Sequence, residues 1–400
     1  MDVILAKKKV AFSSHINFGT TGQDYNGIRQ YLIHYNKAGK LLWITHPFKY
    51  HPQQRGSGFE IYEQGQLTKN FFNSLKQISD KPSEKPYSIL RYFKDIYLNI
   101  WYVIKSKEVY DCYIGYGFLH GGCGWLLKKI GRTKYSIYLA SDFTPKLFNS
   151  KLLNGIYHML DTFCVKHCDE TWNMSAKMIE ARQQFTGLDL SKFSKQKVVP
   201  VGIWSDDIKY LTFDAIHKNR IVYMGSLIKQ QGIQYILKAI PLIIERIPDF
   251  QFLVIGSGQY LAQLQELVKD LSIESYVEFT GRIEDHDAMM NLIASSALAV
   301  APYEEGDYEG NWTYSSDSGK IKTYISCSAP ILVSNVPYNA VDIERAECGK
   351  IIDLQPENIA KVVFEFLLDE EKLKRYRENT VRYAEQFDNI KIYGNAFGDC

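Results

Sequence analysis

The chain has 400 residues, more than one ordinary hydrophobic core supports, so two domains are expected. Its 46% apolar and 23% charged residues are those of a globular protein, and a formal charge of +2 gives no case for a nucleic-acid binder, which is usually strongly basic over a domain. Seven cysteines, an odd number spread along the chain, argue against a disulfide framework and for a reducing compartment. The start, MDVILAKKKVAF, breaks its short apolar run with three lysines, which is not a secretory signal. No apolar run reaches the ~18–20 residues that span a bilayer. A cytoplasmic location is therefore expected. Aromatic residues are abundant (28 Tyr, 21 Phe and six Trp), which suits either aromatic cores or sugar-binding surfaces.

In chain order, a strand is predicted at residues 10–14. A loop with Gly19, Gly22 and Gly27 follows, then a helix from about 25 to 37 and a strand at 41–45. A glycine-bearing loop directly after a parallel strand is either ligand-facing or a plain surface loop. Residues 69–108 differ in character, with eight basic and four acidic residues, a net +4. Within them Ile89, Phe93, Ile96, Ile100 and Val103 recur at helical spacing, with Tyr97, Trp101 and Ile104 beside the stripe. Such a helix lies on an anionic membrane surface or packs its stripe on its own domain. Alternation then resumes with a strand at 110–114, a glycine-rich turn at 115–124 that holds His120, and a strand at 135–140 ending at Ser141-Asp142. A helix at 149–166, a strand at 170–174, a helix at 175–185 and the run VVPVGI at 198–203 complete the first half. Cys164, His167 and Cys168 share a helix face but lack the two further ligands of a closed zinc site, so no metal site is predicted. Residues 204–218 are charged and aperiodic, and the hinge is placed there.

The second half repeats the alternation with strands at 221–224, 250–255, 277–280, 298–301, 331–334 and 350–354. Its most strongly patterned stretch is 220–258: a strand closed by Gly225, a one-faced helix, and a second strand closed by Gly256 and Gly258. That is a βαβ unit with two glycine loops at one sheet edge, where a backbone approaches a phosphate or simply turns. Helices follow at 260–271, 356–368 and 370–386. Two consecutive alternating halves imply an α/β protein with two doubly wound sheets facing a cleft.

The motifs VYMGSLIKQQGIQYILKAI, FLVIGSGQYLAQLQELVKDL, YVEFTGRI, LAVAPY and SGKIKTYISCSAPILVS, in that order, resemble the donor domain of GT-B glycosyltransferases, closest to glycosyltransferase family 4. The resemblance covers residues 220–382 well and the first 205 more loosely. It implies a GT-B fold of two Rossmann-like domains: 1–205 on the acceptor side, 206–375 for the donor, and a helical segment 376–400 returning toward the first. It further implies transfer of a sugar from a nucleotide-diphosphate donor to a glycan or lipid-linked acceptor, usually with retention, without a bound metal or other cofactor.

The resemblance also suggests roles for residues, with departures. Family members usually place an Arg after the first glycine and a Lys five residues later. Here those places hold Ser226 and Gln231, and Lys229 is the expected substitute cation. The family's two glutamates eight apart are Ser315 and Thr323 here. What remains, DSGKIKTY, places Lys320 at a helix N-terminus near the diphosphate, with Asp317 at the cap and Gly319 between them. Gly225, Ser226, Gly256, Gly258 and Thr323 complete the expected donor side. Where the family often carries a catalytic-site His, this chain has Ser141-Asp142. Asp142 there orients the reacting groups or caps the next turn. Gly19, Gly22 and His120 are assigned to the acceptor side. The reading is a transferase of cell-surface polysaccharide or glycolipid assembly, placed in the cytoplasm with peripheral contact at the inner membrane face. Two alternatives stand beside it: a degenerate GT-B partner subunit, and a nucleotide-sugar epimerase.

Overall fold

A computed structural model of the chain describes residues 5–16, 23–47, 56–73, 89–148, 150–193, 195–306, 314–315 and 317–398. It divides into two compact units, Met1–Pro200 with Asn389–Cys400, and Val201–Asp388. Residues 204–218, read above as the hinge, lie inside the second unit.

The strands of the first unit are β1 (Lys9–Ile16), β2 (Lys40–Pro47), β3 (Gly58–Glu63), β4 (Gln66–Phe72), β5 (Tyr110–Tyr116), β6 (Thr133–Ala140), β7 (Glu170–Asn173) and β8 (Lys195–Val198). Its helices are α1 (Gln23–Gln30), α2 (Ile89–Lys105), α3 (Phe118–Lys129), α4 (Lys151–His167) and α5 (Ala176–Thr186). The sheet order is β4-β3-β2-β1-β5-β6-β7-β8, parallel from β2 to β8, with β3 and β4 added antiparallel at one edge. The order reverses between β1 and β5, and loops at the carboxyl ends of those two strands therefore diverge and leave a crevice.

The glycine-rich turn expected at 115–124 is instead the end of β5 and the first half of α3. Its glycines set the distance between helix and sheet rather than bending a loop. A Cβ on Gly121 would stand 2.8 Å from the Tyr138 ring, and one on Gly124 2.7 Å from Tyr113. The β3–β4 hairpin was not predicted. Its turn, Gln64-Gly65, has positive φ at both positions, but Gln-Gly lacks the usual Asn-Gly signal. Nearly all of β4 is exposed on both faces, so no alternation marks it. The helix expected from about 25 opens at Gln23 and widens at Tyr31–Tyr35, where Asn36 N–H reaches back five residues to the Tyr31 carbonyl at 2.8 Å.

The second unit contains β9 (His217–Met224), β10 (Gln251–Ile255), β11 (Val277–Gly281), β12 (Ser296–Ala301), β13 (Ile331–Val333) and β14 (Gly349–Ile351). Between and after them run α6 (Ile233–Ile244), α7 (Leu261–Asp270), α8 (His286–Ala294), α9 (Gly319–Ser326), α10 (Ala340–Arg345), α11 (Pro356–Leu367) and α12 (Glu370–Ala384). All six strands are parallel, in the order β11-β10-β9-β12-β13-β14. Every second residue enters a different core, as the strand period requires. Ile221, Tyr223, Phe252 and Val254 pack under α6 and α11, while Val222, Leu253 and Ile255 pack under α8 and α9. Ile233, Ile236, Leu237, Ile240 and Ile243 of α6 are fully buried, each contributing ~1.5–3 kcal/mol of transfer free energy. The last helix, α13 (Asn389–Phe397), belongs to the first unit. Its Phe397 stacks on Tyr31 at 5.8 Å and meets Trp172 edge-on at 5.0 Å.

Candidate functional site

Each unit carries one cluster of polar side chains at the carboxyl edge of its sheet. In the second unit the edge is built where the strand order reverses, between β9 and β12. Gly225 ends β9 with φ +144°, a conformation open to glycine, and a Cβ there would lie 3.0 Å from Lys320 Cε. Lys320, in the first turn of α9, therefore lies directly against the first glycine loop. Its ammonium sits over the Tyr223 ring at 4.1 Å and the Tyr303 ring at 4.9 Å, and donates to Gln231 Oε1. Burial pushes the Lys320 pKa well below the usual lysine range. Lys320 is thus half-buried among aromatic rings.

The parts around Lys320 are mutually supporting. Gln231 is buried and also accepts from Tyr223 OH at 3.3 Å. Tyr303 OH shares a 2.6 Å hydrogen bond with Ser318, and burial pushes its phenol up to about 12. Tyr324 OH accepts from Met224 N at 2.7 Å and donates to the Val300 carbonyl at 3.2 Å, which ties α9 to the ends of β9 and β12. Sequence reasoning did not single out Tyr223 or Tyr303, and it noted Gln231 only as a departure from the family pattern. The signal was present in Gln231: it stands where the family places a lysine, so an acceptor replaces a cation that would repel Lys320.

The other donor-side expectations are placed as follows. Gly319 and Lys320 open α9, but the cap position is Ser318, not Asp317. The Asp317 carboxylate is buried elsewhere. It accepts from Val201 N at 2.8 Å and pairs with the fully buried Lys322 at 3.3 Å, whose ammonium also lies over the Phe387 ring. A carboxylate engaged with a main-chain donor and a buried ammonium has its lone pairs directed away from the helix end. Gly256, also at φ +144°, and Gly258 are required by the contact of two loops: Cβ atoms there would meet the Gly225 and Leu227 carbonyl oxygens at 1.9 and 2.2 Å. That contact accounts for both glycines without a ligand. Thr323 is buried with its hydroxyl turned onto the Gly319 carbonyl at 3.1 Å. Ser226 and Lys229 are exposed. Lys229 opens onto a shallow depression shared with Tyr235 and Glu304, apart from the Lys320 cluster.

In the first unit the crevice between β1 and β5 continues into a pocket of about 430 Å³, walled in part by His15, Gly117, His120, Tyr138, Ser141 and Asp142. Asp142 and His120, separate candidates in the sequence, are thus brought together. Asp142 is exposed at the pocket wall just past β6. His120 is buried on α3 and lies at the centre of a directed chain of hydrogen bonds. Asn99 Nδ2 reaches His120 Nδ1 at 2.7 Å, and Tyr113 OH donates to Asn99 Oδ1 at 2.9 Å. Because the amide donates, His120 Nδ1 accepts, and its Nε2–H is left to donate to His15 Nδ1 at 2.9 Å. His15 Nε2 then meets Asp95 Oδ2 at 3.2 Å, and the other carboxylate oxygen faces His46 Nδ1 at 3.3 Å. Burial holds His120 well below, and His46 below, the usual imidazole range; neighbouring imidazoles add to both effects, and Asp95 opposes them. Below the pocket, Tyr138 OH donates to Asp161, and the buried Arg182 grips the same carboxylate through two nitrogens at 2.8 and 3.1 Å.

Gly19 and Gly22 lie outside the described residues. Cys164 and Cys168 donate to the Phe118 and Gly121 carbonyls, which fixes α4 on α3. Among the described residues, no three His, Cys, Asp or Glu side chains converge as a metal site would require.

Comparison with known proteins adds the following. The family model described as glycosyl transferases group 1 matches residues 218–369. A GDP-mannose-dependent monoacylated alpha-(1-6)-phosphatidylinositol monomannoside mannosyltransferase of Corynebacterium glutamicum is 36% identical over 87 residues, 21% of this chain and 22% of that protein. An uncharacterised glycosyltransferase of Methanocaldococcus jannaschii is 30% identical over 120 residues, 27% of this chain and 30% of its own. The chain thus spans less than a third of the length of either relative. Solved structures align over nearly the whole chain. Sucrose-phosphate synthase of Thermosynechococcus elongatus has a TM-score of 0.70 at 17% identity, covering 98% of both chains. HepE of Anabaena in complex with UDP has a TM-score of 0.67 at 14% identity, covering 97% of this chain and 98% of its own. The fold is GT-B, with two Rossmann-like α/β domains.

Proposed function

We propose that this chain is a glycosyltransferase that takes a sugar from a nucleotide-diphosphate donor held at the carboxyl edge of the second sheet. The acceptor is a glycan or a lipid-linked glycan held in the pocket of the first unit, and the product enters cell-surface polysaccharide or glycolipid assembly. Transfer proceeds with retention at the anomeric carbon and draws on protein cations rather than a metal. The observation that carries the reading is the placement of Lys320 against Gly225 at the switch point of the second sheet. Negative charge grows on the diphosphate as the glycosidic bond breaks. A lysine already desolvated there, beside the free N–H groups of the first turn of α9, stabilises that charge more than it stabilises the ground state. The family match over residues 218–369 contains this cluster. That a relative's name specifies GDP-mannose, and that a solved likeness holds UDP, supports a nucleotide ligand without choosing its base.

On the acceptor side, Asp142 orients the reacting hydroxyl or the donor sugar. The protein works in the cytoplasm at the inner membrane face, with α2 as its contact. One observation favours a second reading, a partner subunit without activity: Thr323 stands where the family carries a ribose-binding glutamate, and its hydroxyl is spent on its own helix. Incubation with a panel of nucleotide sugars separates the two. Transfer, or slow hydrolysis of one donor, is expected; silence toward every donor with weak nucleotide binding supports the partner subunit.

A further inference from the structure

The outer face of the first unit carries a groove whose floor is α3 and whose walls are α2 and α4. Phe93, Ile96 and Ile100 form one wall; Ile156, Leu160 and Phe163 form the other, and Gly122 lies in the floor. Its volume is about 440 Å³, and its lining is almost wholly apolar. At ~30 Å³ per water-sized group this is room for about fifteen such groups, the scale of one long hydrocarbon chain. The rim is as apolar as the floor: Phe93 is 65% exposed and Met159 62%. A contiguous exposed patch of this kind marks an interaction surface rather than scattered surface residues.

Two observations identify the occupant. The groove and the Asp142 pocket share Tyr92, Phe118, Leu119, Phe148 and Tyr157, so an apolar slot leads directly into a polar one. Exposed basic residues also lie on the two helices that wall the groove, Arg91, Lys94 and Lys105 on α2 and Lys151 at the start of α4. A ligand that fits both features has an apolar chain, an anionic link and a polar head. We propose that this groove binds the hydrocarbon chain of an amphiphilic, anionic acceptor, and that the polar head extends from it into the Asp142 pocket. The identity of the head as the sugar acceptor rests on the transferase reading; the chain-binding site does not.

Gly122 supplies the test. A Cβ built on it meets nothing within 4 Å, so a side chain placed there starts in open space and extends into the groove. The change also replaces a helical glycine with a better helix former. A long-chain alkyl phosphate with a diazirine at its tail is photolysed with the full-length protein, and the labelled peptides are mapped. The tail should label peptides from α2, α3 and α4, and Gly122→Trp should lower labelling at least tenfold with an unchanged melt. Ile156→Gln, at a wall position 41% exposed, should lower it severalfold and serves if the first variant is unstable. Labelling that ignores both variants overturns the proposal. So does binding to vesicles of anionic phospholipid with no label inside the groove, which would make this face a surface anchor. A dimer in sedimentation that Gly122→Trp disperses also overturns it, because the occupant is then a second copy. No nucleotide sugar enters the assay, so failure here leaves the transferase reading standing, and a silent donor panel leaves the groove standing.

Discussion

A lysine ammonium held between two tyrosine rings with one amide oxygen as partner is desolvated further than those contacts offset, and Lys320 is held in this way. Such a group gains most when an anion arrives. Gln231 is therefore a positioning residue, standing where the resembled family places a lysine. Lys320 itself was legible from its helix-opening position after a glycine; Tyr223 and Tyr303 were not, because core tyrosines carry no mark in sequence that tells a packed ring from one lying under a cation. Asp317 shows the opposite failure. Its spacing suggests a cap, yet the carboxylate pairs with Lys322, a residue whose burial its local sequence does not reveal. For Asp142, exposed at the pocket wall, orientation of reacting groups predicts that Asp142→Asn lowers turnover by roughly 10²–10⁴-fold with donor affinity nearly kept. Steady-state kinetics beside a nucleotide titration decide it, and normal turnover assigns the residue to turn capping.

At the scale of elements, the parallel strands were legible because their apolar runs end in glycine or polar residues. The largely exposed β4 and the glycine-rich start of α3 were not. In α3 the glycines serve close packing on β5 and β6, a tertiary reason that local composition reads as a turn. Helix α2 carries features that bear on both alternatives left open by its composition. Its Ile96 and Ile100 sit in the groove wall while Leu90, Phe93, Tyr97 and Trp101 stay exposed beside Arg91, Lys94 and Lys105. An amphipathic element of this kind binds anionic surfaces through charge and apolar area together. Replacement of Arg91, Lys94, Lys105 and Lys107 by Gln should abolish flotation with anionic liposomes, at ~1 kcal/mol per charge lost. Flotation that survives the fourfold change would remove α2 from the membrane contact.

For the molecule as a whole, each unit presents its polar cluster at a switch point; alternation implied two doubly wound sheets, and the strand order that creates those points came from the structure. The clusters differ in their response to pH. His46 and His120 are held below the ordinary imidazole range, so the folded first unit refuses protons that the unfolded chain takes up. Their contribution to stability is complete above about pH 6.5 and is lost as pH falls, by up to ~1.4 kcal/mol per pH unit for each ring. The melt of the wild type should therefore drop between pH 7.5 and 5.5, and His120→Asn should flatten that slope; an equal slope in both would place the pH sensitivity elsewhere.

Lys320 gives the most direct test of the central claim, that the carboxyl edge of the second sheet binds a nucleotide diphosphate through a desolvated cation. Its pKa is depressed in the free protein, and a bound diphosphate favours the charged form, so binding must take up a proton and weaken as pH rises. Calorimetric titration with UDP and GDP, in buffers of different ionisation enthalpy across alkaline pH, measures both effects. The account predicts proton uptake and falling affinity with rising pH for at least one nucleotide, both lost in Lys320→Ala, with transfer in that variant reduced 10²–10³-fold. Binding of equal strength and equal proton uptake in Lys320→Ala, or transfer within threefold of the parent, would contradict it.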